Sequence, residues 1–407
     1  MKSYAVGLLV MVLVASACSS GDGDTASPTG AGASAGSGGS DTGAAGSAGV
    51  GGAGAQDLTI QSETSAWTHG VTVIVSGAGF GDKPTAAPFR ASYHHPDPAQ
   101  RFQESGVFEG GWGVAGADVV TLAEGLPGAR VAGRESHRYS VRMEYSAAGN
   151  WGGSGYSAGV QTDLPPSRTL YQAWWDRFEP GFDASHMVTG AANFKWLYNS
   201  PGQTLHQAFQ TCADGTDLQI GFAGGVGGAT AAEQDANVDL PFGGGFYARP
   251  LSFRCNYAPP VGSWYFVEIF TYLNSAAGVF DGYNEMRVDN QRIYRADHVD
   301  FLGSADAGPY FQFFRFGGNY GFDASGEVFY RQYGDLYIDD SFARVLLGDA
   351  ASYAECSHLE VQVPTAWSDS EVRFVLNQGS FQPGDGVFVY LFDPDQQIHG
   401  PVELLLE

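Results

Sequence analysis

From residue 57 onward, short strand-like apolar runs recur, with clean period-two alternation over residues 137–145, and the 3.6-residue period of an amphipathic helix is nearly absent. Strand-like runs fall at residues 71–75, 137–145, 170–178, 194–198, 205–210, 264–273, 284–288, 310–316, 328–338, 371–376 and 387–392. Each is bounded by Gly, Pro, Asn or Asp, the residues that turn a chain. So many short strands, with no long helix between them, predict an all-β fold of antiparallel sandwiches. Within the run 264–273, Tyr265, Val267, Ile269 and Leu273 form the more apolar alternate set and are expected in the core. Trp264, Phe266, Glu268, Phe270 and Tyr272 form the opposite set, expected to face a ligand.

The first 56 residues break this pattern. Lys2, an apolar stretch over residues 5–14 and the small residues Ala15, Ser16 and Ala17 make a secretory signal over residues 1–17. The apolar stretch is too short to cross a bilayer. Cys18 follows directly, and the arrangement resembles the lipobox of bacterial lipoproteins, with Ala15 where leucine is usual. That resemblance implies cleavage before Cys18, lipidation of Cys18 and, with Ser19 next, an outer-membrane or cell-surface location. Residues 18–56 are a Gly/Ala/Ser tract without an aromatic residue, too poor in apolar area to fold. It is expected to be a flexible linker with a root-mean-square span of about 35 Å.

Charge narrows the partners. Twenty Lys and Arg stand against 44 Asp and Glu, a net charge of −24. This repels nucleic acid and anionic lipid, and leaves the proposed lipid as the only route to a membrane. A monomer is expected. Three cysteines follow Cys18, and export permits a disulfide. Cys212 and Cys255 flank one Gly-rich insertion and are the expected pair, leaving Cys356 buried or free. No Cys/His spacing suggests zinc.

Two further resemblances organise the folded part. The stretch from Gly70 to Gly81, with Val71, Val73 and Val75 before Ser76-Gly77-Ala78-Gly79-Phe80, resembles the first hairpin of an IPT/TIG domain, a small immunoglobulin-like sandwich. Ala343 to Gly348, Pro364 to Val372 with its Trp367-Ser368-Asp369, and residues 387–392 resemble the rest of that domain. Neither half has enough strands to close a core alone. The implied organisation is an IPT/TIG domain split into residues 57–87 and 341–407. Between them, residues 88–340 resemble a concanavalin A-like jelly roll, on the strength of Gly106 to Trp112, Trp264 to Asn274, the hairpin from Asp281 to Gln291 and Tyr337-Ile338-Asp339-Asp340. Members of that fold act as lectins, glycosidases or lyases, and fold alone does not choose among them.

Candidate chemistry lies in the inserted part. Glu268 among aromatic rings, with Trp175, Trp264 and Tyr272, has the make-up of a sugar site, rings stacking on the sugar face and the carboxylate taking hydroxyl bonds. Lys195 is one of only three lysines, with Lys2 and Lys83, and its place in mid-strand suggests a ligand-facing cation or a salt bridge. His206 is expected to join it. A lyase needs a cation or amide to neutralise a uronate carboxylate and a His or Tyr to take the adjacent proton. His206, Tyr272 and Arg287 are the catalytic set if the chain is a lyase, with Arg315 and Tyr320 in reserve. The triplet Gln397-Ile398-His399 echoes a lyase motif but lies in the C-terminal part. No Glu-x-Asp-x-x-Glu run supports retaining glycoside hydrolysis, and no nucleophile elbow or phosphate loop occurs. Glu109, Asp339 and Asp340 resemble the structural calcium site of carbohydrate-binding jelly rolls, and no other cofactor is required. The sequence thus points to a cell-surface lipoprotein that binds a polysaccharide, with two alternatives: a polysaccharide lyase acting by β-elimination, or a structural or adhesive protein.

Overall fold

The computed structural model describes the backbone of residues 58–64, 66–91, 107–108, 112–115, 120–124, 139–146, 159–182, 193–198, 206–211, 218–223, 237–239, 246–248, 251–257, 260–276, 278–299, 311–319 and 328–407. It describes the side chains of residues 58–64, 66–89, 142, 164–182, 260–276, 278–293, 295–298, 311 and 330–407. Cys18, Glu109, Cys212 and Tyr320 lie outside the described residues, and Lys195, His206, Cys255 and Arg315 are described by backbone alone.

In chain order the strands are β1 (Thr59–Ser62), β2 (Thr72–Ser76), β3 (Arg90–Ala91), β4 (Val107–Phe108), β5 (Trp112–Ala115), β6 (Val120–Glu124), β7 (Tyr139–Ser146), β8 (Gly159–Ser167) and β9 (Thr169–Phe178). Next come β10 (Asn193–Tyr198), β11 (His206–Thr211), β12 (Leu218–Ala223), β13 (Asn237–Asp239), β14 (Phe246–Ala248), β15 (Leu251–Tyr257), β16 (Tyr265–Tyr272), β17 (Gly282–Val288) and β18 (Gln291–Val299). The remainder are β19 (Phe311–Asn319), β20 (Val328–Asp339), β21 (Arg344–Gly348), β22 (Leu359–Trp367), β23 (Glu371–Val375), β24 (Gly386–Phe392) and β25 (Ile398–Leu405). Among the described residues the only helical element is a 3-10 turn at Tyr353–Glu355. The fold is all-β and antiparallel, as the alternation predicts.

Three sheets result. The first runs β1-β2-β23-β22-β21-β24-β25. Val73 on β2 pairs with Phe374 on β23, so residues from both ends of the folded part share one sheet. The loop after β2 is tied the same way, Gly81 N donating to Asp369 Oδ1 at 3.1 Å. β22 pairs with β21 along its first half and with β23 along its second, its register with β23 shifting between Pro364 and Ala366. The sheet folds over at that strand and encloses a core of Val73, Val75, Phe80, Val345, Leu347, Phe374, Val389 and Leu391.

The second sheet runs β13-β18-β17-β16-β9-β20-β7-β6, with β3 on β20, and the third runs β14-β15-β12-β11-β10-β19-β8-β5-β4. The central strands β9 and β16 of the second sheet are buried on both faces. One face carries Tyr171, Ala173, Trp175, Phe266, Phe270 and Tyr337, packed against Leu346, Leu359, Val361, Tyr390 and Phe392 of the first sheet. The other carries Leu170, Trp174, Tyr265, Val267, Ile269, Met286, Tyr333 and Ile338, all buried. It also holds the buried ion pair of Arg331 with Asp176, the guanidinium lying 4.6 Å from the Phe178 ring. On the third sheet, register places Phe194, Phe209, Ile220 and Phe253 on one side. Burial on both faces explains why β9 and β16 read as nearly continuous apolar runs.

Candidate functional site

The predicted site residues separate onto two sheets. Trp175, Glu268, Tyr272 and Arg287 belong to the second sheet, and Trp264 directly precedes β16 there; Lys195 and His206 belong to the third. They do not share one sheet, and Trp175, Trp264, Glu268 and Arg287 pack toward the first sheet. The expected ligand face of β16 is a packing face. Its aromatic residues, read as sugar platforms, fill an inter-sheet core.

Glu268 is fully buried. Its Oε1 accepts from Tyr171 OH at 2.8 Å and from Arg344 Nε at 3.2 Å, and its Oε2 accepts from Tyr353 OH at 3.2 Å. Arg344 lies on β21 of the first sheet, its guanidinium 3.7 Å from the Phe392 ring and 4.7 Å from Phe270. Burial, with the neighbouring Glu268 carboxylate, raises the Tyr171 hydroxyl well above its usual range and pushes Tyr353 up to about 12. Both phenols therefore stay protonated and serve as donors. Arg287 is held the same way, its Nε on Glu285 Oε1 at 2.5 Å and its Nη1 on Tyr353 OH at 3.3 Å. Burial opposes its charge, but Tyr353, Glu285 and Glu268 outweigh burial and raise its pKa.

Trp175 is 5 % exposed and stacks on His358 of the first sheet at 4.9 Å. Its indole Nε1 points to Glu360 Oε2 at 3.5 Å. Trp264 is half-buried at the margin of the same cluster, and Tyr272 ends β16 between Thr169 and Tyr283. The ligand-facing placement expected of Trp175 and Glu268 is thus corrected: both are buried in the contact between two sheets, and Arg287 is bonded within it. Trp264 borders that contact.

The expected calcium ligand Asp339 already faces a cation of the chain. Lys83 Nζ lies 2.6 Å from its Oδ2, which also accepts from Tyr337 OH at 2.6 Å. Asp340 accepts from Thr85 Oγ1 at 3.3 Å. No group of three or more His, Cys, Asp and Glu side chains suited to a metal occurs among the described residues. His399 of the Gln-Ile-His triplet is buried against Asp393 and the Phe80 ring inside the first sheet's fold. Cys356 is free and buried, and the expected Cys212–Cys255 bridge falls outside the described side chains.

The strands of the third sheet group the polar residues by register. Opposite the apolar side, register places Arg254, Gln219, Gln210, Asn193 and Asn319 in one row across five strands. The next row holds Ser252, Gly221, Ala208, Lys195 and Gly317. His206 pairs with Tyr198 one step further along, and Arg315 pairs with Gln161 on the same side. In a regular strand Tyr198 would lie across from Lys195. The register shift between Lys195 and Leu197 brings it to the same side. Three cations, a His, a Tyr and a row of amides therefore share one face. Sequence alternation alone places His206 with Ala208 and Gln210, but the cross-strand partners Arg254, Asn193 and Asn319 require the strand order. An alternation signal did exist in Ser252-Phe253-Arg254 and Gln219-Ile220-Gly221.

No protein-family model matches the chain. No curated protein matches it either. Among solved structures it is similar to the alginate lyase Aly36B, at 13 % identity over 49 % of this chain and 80 % of that one, with a TM-score of 0.32. It is also similar to a cellulose-induced protein, at 18 % identity over 60 % and 96 % with a TM-score of 0.34. A third is a GH131 β-glucanase catalytic domain from Podospora anserina, at 10 % identity over 62 % and 84 % with a TM-score of 0.30. Likeness at this level assigns no residue and no activity to the chain.

Proposed function

We propose that the polar face of the third sheet binds a polysaccharide bearing uronate carboxylates. The observation that carries this reading is the register that gathers Lys195, Arg254, Arg315, His206, Tyr198 and the row of Asn and Gln on one side of one sheet. In a chain of net charge −24, such a face concentrates scarce cations where an acidic glycan would lie. Amides and guanidinium groups bond carboxylates and hydroxyls together, as a sugar acid requires. The central strands β9 and β16 of the second sheet, buried on both faces, offer no competing open face among the described residues.

A second reading, β-elimination on the same face, is favoured by the His206–Tyr198 pair beside Lys195. A cation would neutralise the uronate carboxylate, and the His or Tyr would remove the adjacent proton. Purified protein should retain alginate, pectin or glucuronan on an affinity gel, and Lys195→Ala should weaken retention at least tenfold. Retention unchanged in Lys195→Ala and Arg254→Ala would defeat the assignment of this face. Growth of ultraviolet absorbance from a new unsaturated uronate decides for the lyase. Its absence with binding intact decides for the binding protein.

We propose further that lipid on Cys18 tethers the folded part to the outer membrane through residues 18–56. Cys18→Ala should move the protein from the membrane to the soluble fraction, and unchanged fractionation would refute the anchor.

A further inference from the structure

Lys83 and Asp339 meet at the root of the inserted region. Lys83 follows the β1–β2 hairpin of the first sheet, and Asp339 is the last residue of β20 in the second. Nζ lies 2.6 Å from Oδ2, and neither side chain has any exposed surface. Nζ also donates to the Ala86 carbonyl at 2.7 Å and sits 5.9 Å from the centre of the Trp367 ring. Asp339 Oδ1 has no hydrogen-bond partner among the described residues. A fully buried ion pair with one carboxylate oxygen bare is costly, because desolvation of both charges is only partly offset.

We propose that Lys83 and Asp339 are joined by an intramolecular isopeptide bond. A proton passes from the ammonium to the carboxylate, giving an amine and an acid. With both side chains closed to solvent, the neutral pair is less costly to bury than the ion pair. The Nζ lone pair attacks Cγ, the Cγ–Oδ2 bond breaks, and Oδ2 departs as water with two of the three ammonium protons. Oδ1 remains as the amide carbonyl oxygen, and one proton stays on nitrogen. No oxidant, reductant or cofactor is consumed. The Tyr337 hydroxyl, bonded to Oδ2, donates to the oxygen that leaves. Amide formation is unfavourable between free groups in water. A pair fixed at this distance gains an effective molarity of about 10⁵–10⁸ M, and the water it releases departs from a site closed to solvent. The bond would tie together the two points where the chain passes into and out of the insertion.

Chymotryptic cleavage after Phe80, Phe89, Tyr337 and Phe342 of the denatured full-length protein releases residues 81–89 and 338–342. Mass spectrometry should find them as one branched species, lighter by one water than the two linear peptides together. Lys83→Arg keeps the cation but should yield only linear peptides. Recovery of both linear peptides from the wild-type chain without the branched species would overturn the proposal, as would a branched species in Lys83→Arg.

Discussion

Arg344→Met should lower the free energy of unfolding by about 3–5 kcal/mol, the cost of leaving a buried carboxylate without its bonded cation. Glu268 would keep the hydroxyls of Tyr171 and Tyr353 but lose the guanidinium that neutralises it. The same guanidinium fills the space between Phe392, Phe270 and Tyr171, and methionine replaces much of that volume. The loss is therefore electrostatic more than steric. Adding Glu268→Gln to Arg344→Met should recover part of the loss, since a neutral amide is cheaper to bury than an unpaired charge. Denaturant titration of the four proteins in this cycle measures both effects. Equal stability of Arg344→Met and the wild type would show that the pair does not hold the two sheets together.

Trp175→Ala should also cost about 3–5 kcal/mol, the range for deleting a large buried aromatic side chain. The ring is enclosed by Phe266 at 5.4 Å and by His358, so removing it opens a void between the first and second sheets. It also leaves Glu360 without the indole donor; that carboxylate would retain the Ser380 amide at 2.8 Å and His358 at 2.7 Å. Thermal denaturation should show the drop, whereas glycan affinity measured well below the melting temperature should be nearly unchanged. A sugar-stacking tryptophan would give the reverse result, with intact stability and lost affinity.

The two outcomes follow from one ambiguity in the sequence. Alternation in β16 correctly divides Tyr265, Val267 and Ile269 from Phe266, Glu268 and Phe270, because side chains change face at every residue. It does not say what covers each face. Aromatic residues beside one carboxylate suit a sugar groove and a sheet-to-sheet contact equally well, and the missing information is Arg344, whose place opposite Glu268 depends on strand order. The clue available was that both sets in β16 are apolar, as a strand enclosed on two sides requires. The third sheet was easier to read locally, since His206, Ala208 and Gln210 alternate cleanly with Gln207 and Phe209. Its full polar face was not legible, because Arg254 and Asn319 join it only through four intervening pairings. Lys83 was legible as a rarity but not as the partner of Asp339, from which it is separated in the chain by the strands of the second and third sheets.

The pairing of β2 with β23 also governs the order in which the molecule can assemble. β1 and β2 are synthesised early, but the edge of β2 finds its partner only when residue 371 has been made. Until then the first sheet cannot close, and Tyr171, Trp175, Phe266 and Phe270 lack their full packing surface, since Leu346, Val361, Tyr390 and Phe392 all follow them in the chain. Nascent chains ending anywhere before β21 would display a broad aromatic sheet face and an open strand edge together, the combination most prone to sticking to other chains. The last stretch of about sixty residues thus acts as a stopper for everything made before it, and a ribosome stalled short of it would release an aggregation-prone chain.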